Sequence, residues 1–157
     1  MDVKINIGAC ITLYGILNKI LFDNTDPEKP TTEKEIPFNV RYKLQRVLAI
    51  VEKDYLFFND ERNKLIDEMG VMDEAKNLKK VPDEKISEFK EALMKILKTQ
   101  ITHDFYKLKP EDLEFIDIKD ITTDEMNIFI MTLVDDKEFL NAISNTPAET
   151  QVEVETV

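Results

Sequence analysis

Residues 37–70 read PFNVRYKLQRVLAIVEKDYLFFNDERNKLIDEMG, and this stretch decides the fold class. Apolar side chains recur at Val40, Leu44, Val47, Val51, Tyr55, Phe58, Leu65 and Met69, mostly at steps of three or four residues. That spacing keeps one face of an α-helix apolar. The face is interrupted once, at Arg62, read either as a buried charge that fixes a contact or as an edge residue with a packed stem and a solvated head. Pro37 suits the first helical position, where its missing N–H would have no partner anyway, and Gly70 suits a left-handed C-terminal cap. A helix over 37–69 is roughly 45–50 Å long at a rise of about 1.5 Å per residue. That exceeds the diameter of a compact domain of this size, so the helix is expected to be bent or to serve as the backbone for everything else. Leu48, Ile50, Leu56 and Phe57 widen its apolar face and predict packing on two sides.

On the N-terminal side, Val3, Ile5 and Ile7 alternate with Lys4 and Asn6, the pattern of a half-buried strand over 2–7, with Gly8 as its break. Residues 9–22 carry Ile11, Leu13, Tyr14, Leu17, Ile20 and Leu21 and predict an amphipathic helix. Residues 23–36, DNTDPEKPTTEKEI, have no apolar period and read as a surface loop. On the C-terminal side, Val71 to Val81 predicts a hairpin or an irregular loop. Pro82-Asp83-Glu84 opens a helix with the face Ile86, Phe89, Leu93, Ile96 and Leu97, ending near Thr102. Residues 105–108 and 113–118 read as two strands around the turn Lys109-Pro110-Glu111-Asp112. Thr122 and Glu125 have capping-box spacing, ahead of a helix built on Met126, Phe129, Ile130, Leu133 and Val134 that continues or restarts through Phe139, Leu140 and Ile143. The expectation is an α+β fold, mostly helical: one globular domain over 1–144, with a small sheet formed by 2–7 and the strands near 105–118. A flexible acidic tail is expected over 145–157.

At 157 residues the chain has room for one substantial core. Three glycines argue against a barrel, a sandwich or a nucleotide-binding loop fold. The single cysteine, Cys10, cannot form an internal disulfide, so no oxidising compartment is required. The apolar run from Ile11 to Phe22 is too short and too interrupted to span a bilayer, and lacks the charged start and cleavage site of a signal peptide. The expected location on synthesis is the cytosol, without membrane association.

Candidate chemistry is sparse. His103 is the only histidine; a general base would need a nucleophile or an orienting acid, and the favoured reading is a histidine at a helix C-terminus. Cys10 lies near a helix start, where a thiolate is stabilised, but its apolar neighbours favour a small buried residue. The carboxylates at Asp117, Asp120, Asp124, Glu125, Asp135, Asp136 and Glu138 follow no calcium-loop pattern. No phosphate loop, metal-spaced Cys/His set or nucleophile elbow occurs. No catalytic residue, cofactor or metal ligand is therefore assigned, and the chain is read as a non-enzyme.

Charge is more informative. Twenty-one basic against 32 acidic residues give −11, unfavourable for sequence-independent binding to nucleic acid phosphates. Residues 110–157 hold Lys119 and Lys137 against thirteen acids, so the whole net charge lies in this C-terminal third. Arg41, Lys43 and Arg46 cluster at the start of the long helix and read as a docking point for protein carboxylates. Asp117, Asp120 and Asp124 are expected to face a basic partner, either a neighbouring protein or the basic cluster of another copy.

The order of elements resembles a family of small uncharacterised proteins encoded by tailed bacteriophages, often near late genes. The resemblance lies in VKINIGACITLYGILNKIL, NVRYKLQRVLAIVEKDYLFFNDERNKLIDEMG, ISEFKEALMKIL and the stretch from FYKLK to ITTDEMNIFIMTLV. It covers most of residues 2–134 and rests on pattern; the longer loop at 23–36 and the tail after 144 depart from it. It implies a phage origin and carries over no functional residue. The expected function is non-enzymatic: a minor virion component or assembly factor acting through contacts with other, phage-encoded proteins, in the virion or the host cytoplasm. Homo-oligomerisation is compatible with this reading. The alternative is an acidic inhibitor that binds a basic surface of a host nucleic-acid-handling or defence protein.

Overall fold

The N-terminal strand runs straight into a helix, without the glycine break expected between them. The computed structural model describes residues 2–23 and 27–135; the expected continuation through Phe139, Leu140 and Ile143 and the tail over 145–157 lie outside the described residues. β1 (Asp2–Asn6) ends at Asn6, whose side-chain oxygen accepts from the Ala9 N–H at 2.7 Å and so caps α1 (Ile7–Leu21). Gly8 lies inside the first turn of that helix. α1 buries Ile7, Cys10, Leu13, Ile16, Leu17, Ile20 and Leu21, almost half of its fifteen residues. A short ladder follows: β2 (Phe22–Asp23) pairs antiparallel with β3 (Thr32–Glu33), and the Lys34 N–H donates to the Leu21 carbonyl at 2.9 Å. The stretch read as a plain surface loop thus returns to the core, where it leaves Ile36 buried.

α2 (Phe38–Met69) is the long helix expected from its period, 32 residues without a break and about 48 Å in length. Its core contribution is uneven. Val40, Leu44, Val47 and Val51 are buried against the rest of the domain, and no residue beyond Val51 is. Arg62 is exposed, which selects the edge reading for the interruption in the apolar face. The expectation that the core is organised on the whole helix is therefore corrected: α1 is the buried element, and only the first half of α2 closes over it. The second half carries the hairpin β4 (Val71–Asp73) and β5 (Leu78–Lys80), turned by Asn77 at φ 52°, a left-handed position asparagine tolerates. Gly70 is not left-handed as expected; its φ of −80° and ψ of 148° are extended backbone. Space explains the residue instead, because an added Cβ would run into the Ile66 carbonyl.

A 3-10 turn at Asp83–Lys85 leads into α3 (Ile86–Leu97), which folds back along α2 with its apolar face only half-buried. This helix stops five residues earlier than expected. The reason is tertiary: β6 (Gln100–Asp104) pairs antiparallel with β1, opposing Val3 to His103 and Ile5 to Ile101, so β1 satisfies backbone groups that the helix would otherwise have to pair. The small sheet exists, but its second strand precedes the segment expected to form it. Residues 105–109 are extended only in part, with Leu108 bridged to Val134, its N–H donating to the Leu133 carbonyl at 2.7 Å. Pro110–Phe115 is a 3-10 helix, not a turn followed by a strand. Pro110 opens it, and the Asp112 carboxylate accepts from the Lys109 N–H at 3.0 Å. α4 (Thr123–Leu133) starts with the expected capping box: Thr122 Oγ1 accepts from the Glu125 N–H at 3.2 Å, and Glu125 Oε1 from the Thr122 N–H at 3.3 Å. Phe129, Ile130 and Leu133 then pack into the core. The class is α+β and mostly helical, as the periodicities predict.

The two halves of α2 should respond differently to substitution. Val51→Asp places an unpaired charge in the core and is expected to cost more than about 3 kcal/mol. Phe57→Ser, on the exposed side of the distal half, should change stability by less than about 1 kcal/mol. Urea unfolding of both variants checks this; equal losses would contradict the asymmetry.

Candidate functional site

The β1–β6 pairing brings the only histidine against the only cysteine. Burial alternates along β6, with Ile101 and His103 turned inward, and His103 meets the junction of α1 and α2. There its Nε2 lies 2.7 Å from Asp54 Oδ2 on α2, and its ring lies 5.3 Å from that of Phe105. Cys10, on the inner face of α1, completes the group: its sulfur, an Asp54 oxygen and a His103 nitrogen all lie within 4.8 Å of one another. Cys10 is fully buried, whereas the Asp54 and His103 side chains retain 18% and 21% exposure, which leaves one open side. The stacked rings of Tyr14 and Tyr55, 4.3 Å apart, join α1 and α2 through the neighbouring positions.

The order of contacts limits the chemistry. Burial pushes the Cys10 thiol well above its ordinary pKa, and both the charge of Asp54 and a hydrogen bond to it act in the same direction. Asp54 contacts the imidazole, and its carboxylate lies within 4.8 Å of the thiol sulfur. A nucleophilic cysteine needs its imidazole next to the sulfur and the carboxylate behind the imidazole. Here the carboxylate stands against the imidazole and near the sulfur, and burial keeps the thiol protonated. What the three groups offer together is a converging set of ligand atoms from three separate elements.

His103 therefore does not sit at a helix C-terminus, as its sequence context suggests; it is an inward strand residue. Asp54 belongs to no sequence motif, although it sits three residues after Val51 and four before Phe58, at the margin of the apolar face. That spacing, beside a lone Cys and a lone His, was the available signal.

The six residues expected to mediate contacts fall into two groups. Lys43 Nζ is 3.6 Å from Asp112 Oδ2, and Asp117 Oδ2 is 3.7 Å from Lys34 Nζ, so both contribute to pairs inside the chain. A backbone hydrogen bond from Lys119 holds the Asp117 carboxyl below the usual range, with Lys34 adding to it. With Lys19 on Glu125 at 3.1 Å, these pairs fasten the C-terminal third to the N-terminal half. Asp120 and Asp124 stay exposed, though the Asp120 carbonyl accepts from Lys19 Nζ at 3.4 Å. Arg41 is partly exposed and Arg46 exposed, and Arg46 lies beside a run of rings. Phe38 is 72% exposed and lies 6.0 Å from Tyr42; Tyr42 lies 6.0 Å from Tyr106; and the Arg46 guanidinium stands 5.9 Å over the Tyr42 ring. Sequence spacing places Phe38 and Tyr42 on one face, but Tyr106 joins them only through the fold.

Compared with known protein families, curated proteins and solved structures, the chain matches none. Among the described residues, no helix is long and apolar enough to cross a membrane.

Lys19 and Glu125 offer a test of the tethers. Partial burial opposes ionisation of Glu125, but hydrogen bonds from Lys19 and Thr122 outweigh it and hold the carboxyl below its ordinary range. A depressed carboxyl contributes stability above the unfolded value, about 4.3, and loses it as pH falls through the folded value. Glu125→Gln can keep the cap and removes the charge. It should cost up to about 1 kcal/mol at neutral pH, the limit for a partly solvated pair. The cost should shrink as pH falls below the ordinary carboxyl range, about 4.3; urea unfolding across that range reads both effects.

Proposed function

We propose that this chain is a non-enzymatic interaction protein whose docking surface is the aromatic and arginine patch at the start of α2. The observation that carries this is the contiguity of Phe38, Tyr42 and Tyr106 at the surface, with Arg46 over the central ring. Aromatic and arginine side chains are enriched at the centres of protein interfaces, because they bring large area and directed polar contacts at low entropic cost. The partner we propose is an acidic protein segment. Arg46 stands over the Tyr42 ring and the partly exposed Arg41 precedes Tyr42 in sequence, while Lys43 is already engaged by Asp112. A short acidic segment is favoured over nucleic acid because the net charge of −11 opposes a partner with few charges less than it opposes a dense phosphate polyanion. The resemblance in sequence pattern to small proteins of tailed phages supports a setting in a phage particle or its assembly. The acidic third is the weaker docking surface, since Asp112, Asp117 and Glu125 are committed to lysines of the same chain.

The test compares particles and assembly intermediates purified from the encoding phage with those made when the chain carries Phe38→Ser, Tyr42→Ser and Arg46→Glu. These residues lie outside the core, so the variant should keep its melting temperature. Mass spectrometry should find the wild type at fixed stoichiometry and lose the variant by about tenfold or more, as removal of an interface centre implies. Equal incorporation of the two would move the docking surface elsewhere. Absence of the wild type from particles and intermediates alike would overturn the virion and assembly reading.

A further inference from the structure

We propose that Cys10, Asp54 and His103 form a zinc site that clamps α1, α2 and β6 together at the edge of the core. The inference is independent of the docking surface. Three different ligand types converge from three elements far apart in sequence, with their donor atoms within 4.8 Å of one another. Around a tetrahedral ion with bonds of about 2.0–2.3 Å, ligand atoms lie about 3.3–3.8 Å apart. The Asp54–His103 contact of 2.7 Å must open by about half an ångström to reach that spacing. The widest separation in the group, at most 4.8 Å, must close by about 1 Å.

The donor set chooses the metal. A thiolate, an imidazole and a carboxylate suit zinc, whereas calcium and magnesium call for oxygen ligands throughout. Three protein ligands leave a fourth position, and the exposed sides of Asp54 and His103 place it toward solvent, where water completes the coordination. Binding exchanges the Cys10 thiol proton for the ion and releases that proton to solvent, so affinity rises with pH. The ion also relieves the arrangement in which one carboxylate stands against an imidazole and near a buried thiol. A purely structural core would be served equally well by apolar residues at positions 10 and 103.

The sequence makes the test clean, because the chain holds one cysteine and one histidine. Reduced full-length protein, stripped with a chelator, is titrated with Co2+ and then with Zn2+. One equivalent of Co2+ should give tetrahedral d–d absorption and a thiolate-to-cobalt charge-transfer band, and Zn2+ should displace both. Equimolar Zn2+ should raise the melting temperature, since an ion that binds only the folded state stabilises it. Asp54→Asn should weaken Zn2+ binding by about 100-fold or more, beyond the loss typical of outer-shell changes. Cys10→Ala should abolish the charge-transfer band. The wild-type spectrum decides the matter even if a variant fails to fold. A Co2+ spectrum without the sulfur band, a melting temperature indifferent to equimolar Zn2+, or a Cys10→Ala protein that binds Zn2+ as tightly as wild type would each overturn the proposal.

Discussion

The whole arrangement follows from the need to keep α1 out of water. Its buried side chains point in more than one direction, so a single packing partner cannot cover them. Each fully buried Leu or Ile contributes about 1.5–3 kcal/mol of transfer free energy, and covering them decides where the other elements go. The first half of α2 covers one side with Val40, Leu44, Val47 and Val51, and α4 covers another with Phe129, Ile130 and Leu133. The β1–β6 pair closes the N-terminal end with Val3 and Ile5. The direct strand-to-helix passage at Asn6 fixes that pair against the first turn of α1. It is this closure that carries His103 to Cys10 and Asp54.

The same constraint accounts for the uneven role of α2. Once α1 is covered, the remaining length of α2 has no core to meet, and it carries the hairpin and α3 as an arm stabilised mainly by its own half-buried contacts. Charge acts secondarily and locally. The acidic C-terminal third is drawn onto the N-terminal half by Lys19, Lys34 and Lys43, partly exposed pairs of the kind that orient segments more than they hold them. The local charge left at the start of α2 is that of Arg41 and of Arg46, the latter over the Tyr42 ring.

What could be read from the sequence is what depends on local period. The long helix and the Thr122–Glu125 capping box follow from spacing that a short window contains, whereas 71–81 reads equally as a hairpin or an irregular loop. What could not be read depends on distant partners. Residues 98–104 carry no strong helix breaker, and only the hydrogen bonds offered by β1 convert them to a strand. Gly70 is required by the nearby Ile66 carbonyl, which no propensity encodes. The long, visible period of α2 points to it as the core, whereas the dominance of α1 rests on burial from several sides. The candidate site follows the same rule: Cys10 and His103 are 93 positions apart in sequence, and their relation through Asp54 exists only in three dimensions.

Native-state hydrogen exchange tests most directly the claim that α1 and the first half of α2 form the stability centre while the distal arm depends on it. Amides of α1 and of residues 42–51 should exchange only through global unfolding, with protection that falls in step with overall stability as denaturant is added. Amides of residues 56–69 and of α3 should exchange through a separate opening of lower free energy and weaker denaturant dependence. Uniform protection along all of α2 and through α3, merging into one unfolding event, would contradict the account.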